Sequence, residues 1–157
     1  GWHALLLTPA GLRDRLEDFD RGSELGDRDR SEQRVSLSLT CCVLEDEAEA
    51  KRLVKQHIAF YVGGMGSYYR DNLARQGHET VANEIYDRWQ DGDTDGAIAA
   101  LSDDLLERLA VWGTPETARD RLARFTDIDG VAAVSVSFPR AADLEQIEST
   151  MRALAPE

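Results

Sequence analysis

The sequence predicts an α/β fold: the C-terminal portion of a (β/α)8 barrel, with three parallel strands and a helical insertion. Three observations predict it. First, a capped helix followed by an apolar strand is used twice. "TPAGLRDRLEDF" at 8–19 precedes "VSLSL" at 35–39, and "TPETARDRLARF" at 114–125 precedes "VSVSF" at 134–138. Second, a further apolar run, "WHALLL", opens the chain. Third, three strands are few for a parallel sheet that needs cover on both faces, and a whole barrel takes about 250 residues. A chain of 157 residues that starts at Gly1 without a methionine therefore reads as one domain part, 1–157, cut from something longer.

The elements follow in order. Residues 2–7 form a strand. Thr8 then serves as N-cap and Pro9 as the first helical residue. Leu12, Leu16 and Phe19 give that helix one apolar face. A polar linker leads to a buried strand at 35–43, "VSLSLTCCV". "EDEAEAKRLVKQHIAFYV" is a helix with acids in its first turn, where they complement the dipole. Helical pieces are expected near 68–76, 80–90, 94–100 and 103–111, an insertion of about 62–112. "GTPETARDRLARF" is a second capped helix, and 131–138 the third buried strand. The last helix carries Leu144, Ile147, Met151 and Leu154 as its apolar face. Capped helix feeding apolar strand is the unit of parallel α/β folds.

Composition limits the partners. Hydrophobic residues make up 42% of the chain, enough for a real core. There are 30 acidic against 18 basic residues, a net charge of −12. Lys51 and Lys55 are the two lysines. Such a surface argues against nucleic acid, which requires a basic face. It suits high salt, where counterions screen self-repulsion; an acidic mesophilic protein from a GC-rich genome is the alternative. No apolar stretch reaches the length of about 18 residues expected of a membrane span. No signal peptide is visible, so the expected location is the cytoplasm. Cys41 and Cys42 are adjacent inside an apolar run and match neither a metal spacing nor a disulfide framework.

"YVGGMGSYYRDNLARQGHE" at 61–79 is the most unusual stretch. Glycine inside a helix costs about 1 kcal/mol relative to alanine. Gly63, Gly64 and Gly66 would let the chain turn sharply and approach a neighbour closely. Tyr61, Met65, Tyr68, Tyr69 and Arg70 would then wall a pocket suited to a flat molecule. A tight helix–helix corner with core tyrosines remains the alternative. His3 and His57 are expected to be structural, and His78 a cap or turn residue. Three histidines on separate elements make no metal site. No nucleophile elbow, dinucleotide fingerprint or P-loop is present.

The tyrosine-glycine segment, the "GTPE" helix start and the closing "DGVAAVSVSFPR" resemble the C-terminal part of the luciferase-like monooxygenase family. The coenzyme F420-dependent branch, similar to methylenetetrahydromethanopterin reductase, is the nearest in pattern. The opening "GWHALLLTP" is similar to the strand after that family's Ala-Asp-Gly-Trp turn. The resemblance implies an oxidoreductase or monooxygenase that moves hydride between a deazaflavin or flavin and a small organic substrate. Its cofactor would be coenzyme F420, with FMN as the alternative. The family's catalytic contacts lie on earlier strands, so no catalytic residue is carried over. Barrel ligands sit at the C-terminal strand ends. This assigns Thr8, Cys42, Ser137 and Arg140 to the cofactor and Tyr61, Met65, Tyr68, Tyr69 and Arg70 to the substrate. Uncovered strand edges would favour a homo-oligomer. The competing expectation is a non-catalytic half-barrel that self-associates or binds a ligand.

Overall fold

The sheet is organised around one long strand. In the computed structural model, which describes residues 1–156, β1 (Trp2–Leu5) and β2 (Val35–Val43) pair in parallel from Trp2↔Val35 to Leu5↔Ser38. The strand β4 (Ala133–Ser137) pairs with β2 in parallel from Ser36↔Ala133 to Thr40↔Ser137. Because β1 and β4 share the stretch Ser36–Ser38 of β2, they lie on its opposite edges. A fourth strand, β3 (Ala110–Gly113), joins the upper half of β2, from Thr40↔Ala110 to Val43↔Gly113. The three expected strands are thus present and parallel. The fourth was expected to be the end of a helix. It has no period-two pattern, because all four residues are buried and nothing alternates.

Between the strands run eight helices among the described residues. They are α1 (Pro9–Leu25), α2 (Glu47–Gly64), α3 (Ser67–Leu73), α4 (Glu79–Gln90), α5 (Thr94–Ala100), α6 (Asp103–Leu109), α7 (Pro115–Thr126) and α8 (Leu144–Leu154). Their starts follow from side chains that accept the orphan N–H groups. Thr8 accepts from Gly11, Asp46 from Glu49, Ser102 from Leu105, and Asp143 and Gln146 cap each other reciprocally.

Side chains alternate across a strand, and β2 shows it. Val35, Leu37, Leu39, Cys41 and Val43 point to one face, where they pack with Leu12 and Leu16 of α1 and Ala118 and Phe125 of α7. Ser36, Ser38 and Thr40 fall on the other. A second core joins α2 to α4–α6 through Leu53, Val54, Ile58, Ile85 and Leu106, and reaches the sheet at Cys42 and Trp112.

The glycine segment behaves in two ways. The helix α2 continues through Gly63 and Gly64 rather than breaking at them. A Cβ on Gly63 would lie 2.5 Å from Trp89 Cβ, so glycine here permits α2 and α4 to touch backbone to ring. The turn itself falls on Gly66, whose φ of +79° only glycine adopts without strain. The helix expected at 68–76 gives way at Ala74–His78 to a π-type turn, with Gly77 at φ +86°.

Two expectations about burial are corrected. The strand β4 is not buried: Ala133 and Ser135 are exposed and its other residues half-exposed, because it borders β2 on one edge alone among the described strands. The apolar stripe of α8 faces the core only in part, with Leu154 packed against it and Ile147 half-buried. Its contact with the sheet is polar: Thr150 Oγ1 accepts from Val43 N–H at 2.9 Å, and Ser149 Oγ donates to Val43 O at 2.9 Å. Leu144 and Met151 are left 71% and 58% exposed.

Candidate functional site

The face of the sheet turned away from α1 and α7 is lined with hydroxyls. Ser36, Ser38 and Thr40 of β2, Ser135 and Ser137 of β4, and His3 of β1 share it. His3 Nδ1 lies 2.7 Å from Ser36 Oγ. A cavity of about 130 Å3 opens between this face and α2. His3, Ser38, Thr40 and Ser137 line it from the sheet, and His57 and Tyr61 from the helix.

His57 also lines a second cavity, of about 280 Å3, with Gln56, Phe60, Trp89 and Arg140. One imidazole therefore forms the wall between two spaces. It is buried, and its Nδ1 accepts the backbone N–H of Arg140 at 3.1 Å. Burial, and then the Arg140 charge, hold its pKa below the ordinary histidine range. The ring is thus neutral at pH 7, and with Nδ1 accepting, its proton sits on Nε2. The Arg140 guanidinium lies 4.3 Å from the centre of the Phe60 ring and makes no ion pair among the described residues. Phe60 meets Trp89 edge-on, with centroids 5.9 Å apart.

A ladder of rings continues from His57. Tyr61 lies 4.8 Å from it, Tyr69 5.0 Å from Tyr61, and Tyr68 5.3 Å from Tyr69. Burial chiefly, and then the two neighbouring phenols, raise the Tyr69 pKa. Tyr68 and Tyr69 border a third space, a groove of about 550 Å3 along β1 with Arg15, Asn72 and Arg75. None of the residues lining these three spaces is acidic.

The expected site residues separate into groups. Ser137 and Tyr61 meet in the smaller cavity, and Arg140 stands in the larger one. Tyr68 and Tyr69 border the groove instead. Thr8 is buried as the cap of α1, and both its N–H and its hydroxyl donate to Gln76 Oε1, at 2.8 and 3.1 Å. Cys42 lies in the core, where burial, then the Glu49 charge, push its thiol up to about 11; burial pushes Cys41 up to about 12. Met65 lines none of the three spaces, and Arg70 pairs with Asp71 at 2.8 Å and covers the Tyr86 ring. Among the described residues no group of histidine, cysteine and carboxylate side chains could hold a metal ion. No helix among them is long and apolar enough to cross a membrane.

The sequence offers no signal for Phe60 and Trp89 as lining residues, and it marks His3 and His57 as structural; His57 is indeed buried at the edge of the core. A signal for the polar face was available. "VSLSLT" and "AVSVS" alternate strictly between apolar and hydroxyl residues, the period of a strand with two unlike faces. Reading them as continuously apolar hid the polar face.

Parallel strands joined by helices are the architecture of a β/α barrel, of which this chain forms a part. Residues 1–130 match the family described as luciferase-like monooxygenase, and the chain belongs to that family. A Mycobacterium tuberculosis protein named as a coenzyme F420-dependent oxidoreductase is 24% identical over 153 residues. That alignment covers 94% of this chain and 43% of the relative. The solved coenzyme F420-dependent tetrahydromethanopterin reductase of Methanopyrus kandleri matches with a TM-score of 0.72 and 22% identity. It is covered over 43% of its length by 97% of this chain, which establishes the fold as part of that barrel. The chain thus spans less than half the length of both.

Proposed function

We propose that the chain serves a coenzyme F420-dependent oxidoreductase in which hydride passes between the deazaflavin and a small organic substrate. One observation carries this beyond family membership. In a chain of net charge −12, these three spaces are lined by no acid and instead present Arg75 and Arg140, with Arg15 paired to Asp18 at their border. Coenzyme F420 is a polyanion with a flat ring, and such cations, hydroxyl donors and aromatic walls fit it. When bound, the deazaflavin supplies the two-electron chemistry.

The chain's own residues bind and orient. Ser137, Ser38 and Thr40 offer hydroxyls on the inner face of the sheet. Tyr61 and Tyr69, both half-buried, and the exposed Tyr68 provide flat walls. His57, neutral and fixed in one tautomer, offers a single N–H donor. No residue here is assigned to proton transfer.

Titration of the natural full-length protein with coenzyme F420, followed by cofactor fluorescence, tests the proposal. Saturable binding of F420 is expected. Tight FMN binding with no F420 binding would replace the cofactor; binding of neither would leave a non-catalytic half-barrel. We also infer that residues 1–157, produced in isolation, associate with a second copy through the edge of β4 and the exposed Leu144 and Met151 of α8. Screening of the −12 charge should strengthen that contact, so sedimentation should show more dimer in molar salt. A monomer under both conditions would refute it.

A further inference from the structure

The cavity between α2, α4 and the loop after β4 has a composition that specifies a ligand. Its volume is about 280 Å3, room for one small ring compound. Leu53, Phe60 and Trp89 supply apolar and aromatic walls. Against them stand one guanidinium, one amide (Gln56) and the His57 ring, with no carboxylate among the lining residues. Arg140 makes no ion pair among the described residues, a state it shares with Arg13, Arg28, Arg34 and Arg75, but of these five it is the one that stands against the aromatic walls of this cavity.

The two polar groups differ in their settings. Arg140 is an exposed residue at the mouth of the cavity; its guanidinium lies 4.3 Å from the centre of the Phe60 ring, and its side chain makes no hydrogen bond or ion pair among the described residues. His57 is held by the Arg140 backbone N–H on Nδ1 at 3.1 Å, so its remaining donor is Nε2–H. A neutral ring is required beside the guanidinium, and burial keeps it so. Backbone and side chain of the same residue thus serve both parts: one sets the histidine tautomer and the other presents the charge.

We propose that this cavity is a binding site for a small aromatic carboxylate, with Arg140 taking the carboxylate as a bidentate pair and Phe60 and Trp89 packing its ring. A carboxylate matches the planar fork of arginine. The apolar walls disfavour a free phosphate, which would leave them bare and bring a second charge with no second cation to meet it. The proposal names a substrate class for the oxidoreductase proposed above and rests on that reading. Its test is independent of the cofactor.

Benzoate, benzamide and inorganic phosphate would be titrated into the natural full-length protein in the absence of cofactor, with detection by nitrogen-correlated NMR. Residues 1–157 hold three tryptophans and three histidines, and single substitutions such as Trp89→Phe, Trp2→Phe, Trp112→Phe and His57→Gln identify their peaks. Benzoate should shift the Trp89 indole and His57 ring signals and leave Trp2 and Trp112 in place. Arg140→Met should weaken benzoate by at least about tenfold, the order expected when a hydrogen-bonded charge partner is lost. Unmoved Trp2 and Trp112 peaks would show that this variant is folded. Arg140→Lys should recover only part of the affinity, since lysine lacks the fork. Benzamide should bind weakly and indifferently to Arg140. Absence of benzoate shifts at Trp89, equal affinity in Arg140→Met, or preference for phosphate would each overturn the proposal. Benzoate binding with no F420 binding would sink the oxidoreductase reading alone; F420 binding without benzoate would sink the aromatic acid alone.

Discussion

Two segments of the molecule begin with nearly the same words and end in different surroundings. Thr8-Pro9 opens α1, which leads to β2, and Thr114-Pro115 opens α7, which leads to β4. Thr8 accepts from Gly11 N–H at 3.0 Å and donates twice to Gln76. Thr114 makes no capping bond, and its hydroxyl lies 3.4 Å from that of Thr117. In α1 the leucine of Arg-Asp-Arg-Leu, Leu16, is buried, and Phe19 sits half-exposed, stacked on Trp2 at 6.1 Å. In α7 the assignment is exchanged: Leu122 is half-exposed and Phe125 is fully buried. Arg15 makes an exposed pair with Asp18, whereas Arg121 reaches Glu47 and Glu107 and covers the Trp112 ring at 4.0 Å. The difference teaches that the shared sequence sets a helix start and a face, while position in the sheet decides which residue on that face does the packing.

Truncating the two phenylalanines should break this symmetry most visibly. Phe125→Ala should lose about 3–5 kcal/mol in urea unfolding, and Phe19→Ala about 1 kcal/mol, because it surrenders less buried area. Equal losses would mean that the two helices are seated alike. The caps come next. Thr8→Ala should cost about 1–2 kcal/mol, and Thr114→Ala no more than about 0.5 kcal/mol, measured by the same unfolding curves. Gln76→Leu should reproduce much of the Thr8 effect and leave α7 untouched.

Acid should act on the second segment alone. His57, which holds the Arg140 N–H just after β4, has a folded pKa below its unfolded value near 6.5. Its contribution is therefore complete above about pH 6.5 and is lost as the pH falls toward the folded pKa, at less than about 1.4 kcal/mol per pH unit. Urea midpoints at pH 7.5 and pH 5.5 should separate for the wild type and converge for His57→Gln. A wild-type midpoint indifferent to pH over that range would show that the imidazole is already free to protonate. The smallest effect needs no substitution. Amide hydrogen exchange should be slow along Leu37–Val43 and faster at Val134 and Val136, since β4 lies at the border of the sheet. Uniform protection would place β4 in the interior after all.

The repeated helix–strand unit, the Thr8 cap and the parallel direction of the strands were legible in the sequence, because each rests on local chemistry: Thr-Pro at a helix start, an apolar run after a linker; the capping bond expected at Thr114 is not made. What could not be read was the placement of those units. Val134 and Val136 look as buried as Leu37 and Leu39 when only composition is weighed. The burial of a strand depends on how many neighbours it has, and the string of letters does not state that. The stripe on α8 shows the same limit: helical period finds the face of Leu144, Ile147, Met151 and Leu154 but not that Leu154 alone of them packs on the core. The site was half legible. Arg140, Ser137 and Tyr61 followed from strand ends and the unusual tyrosine segment. His57 did not, because its importance comes from an N–H that arrives 83 residues later in the chain.

The central position of β2 has a consequence in time. Its first edge pairs with β1, where His3 and Ser36 are 33 residues apart. Its second edge waits for β4, with Ser135 bonding Leu37 across 98 residues, and its last N–H waits for Thr150, 107 residues on. Loops of that length are entropically slow to close, and folding rates fall as contacts become more distant in sequence. Until β4 is made, β2 would therefore carry β1 and then β3 along one edge and leave its other edge bare. Throughout that interval the bare edge would present unpaired backbone to any passing strand. Chaperone demand at this edge should consequently fall once residues 133–150 have been made.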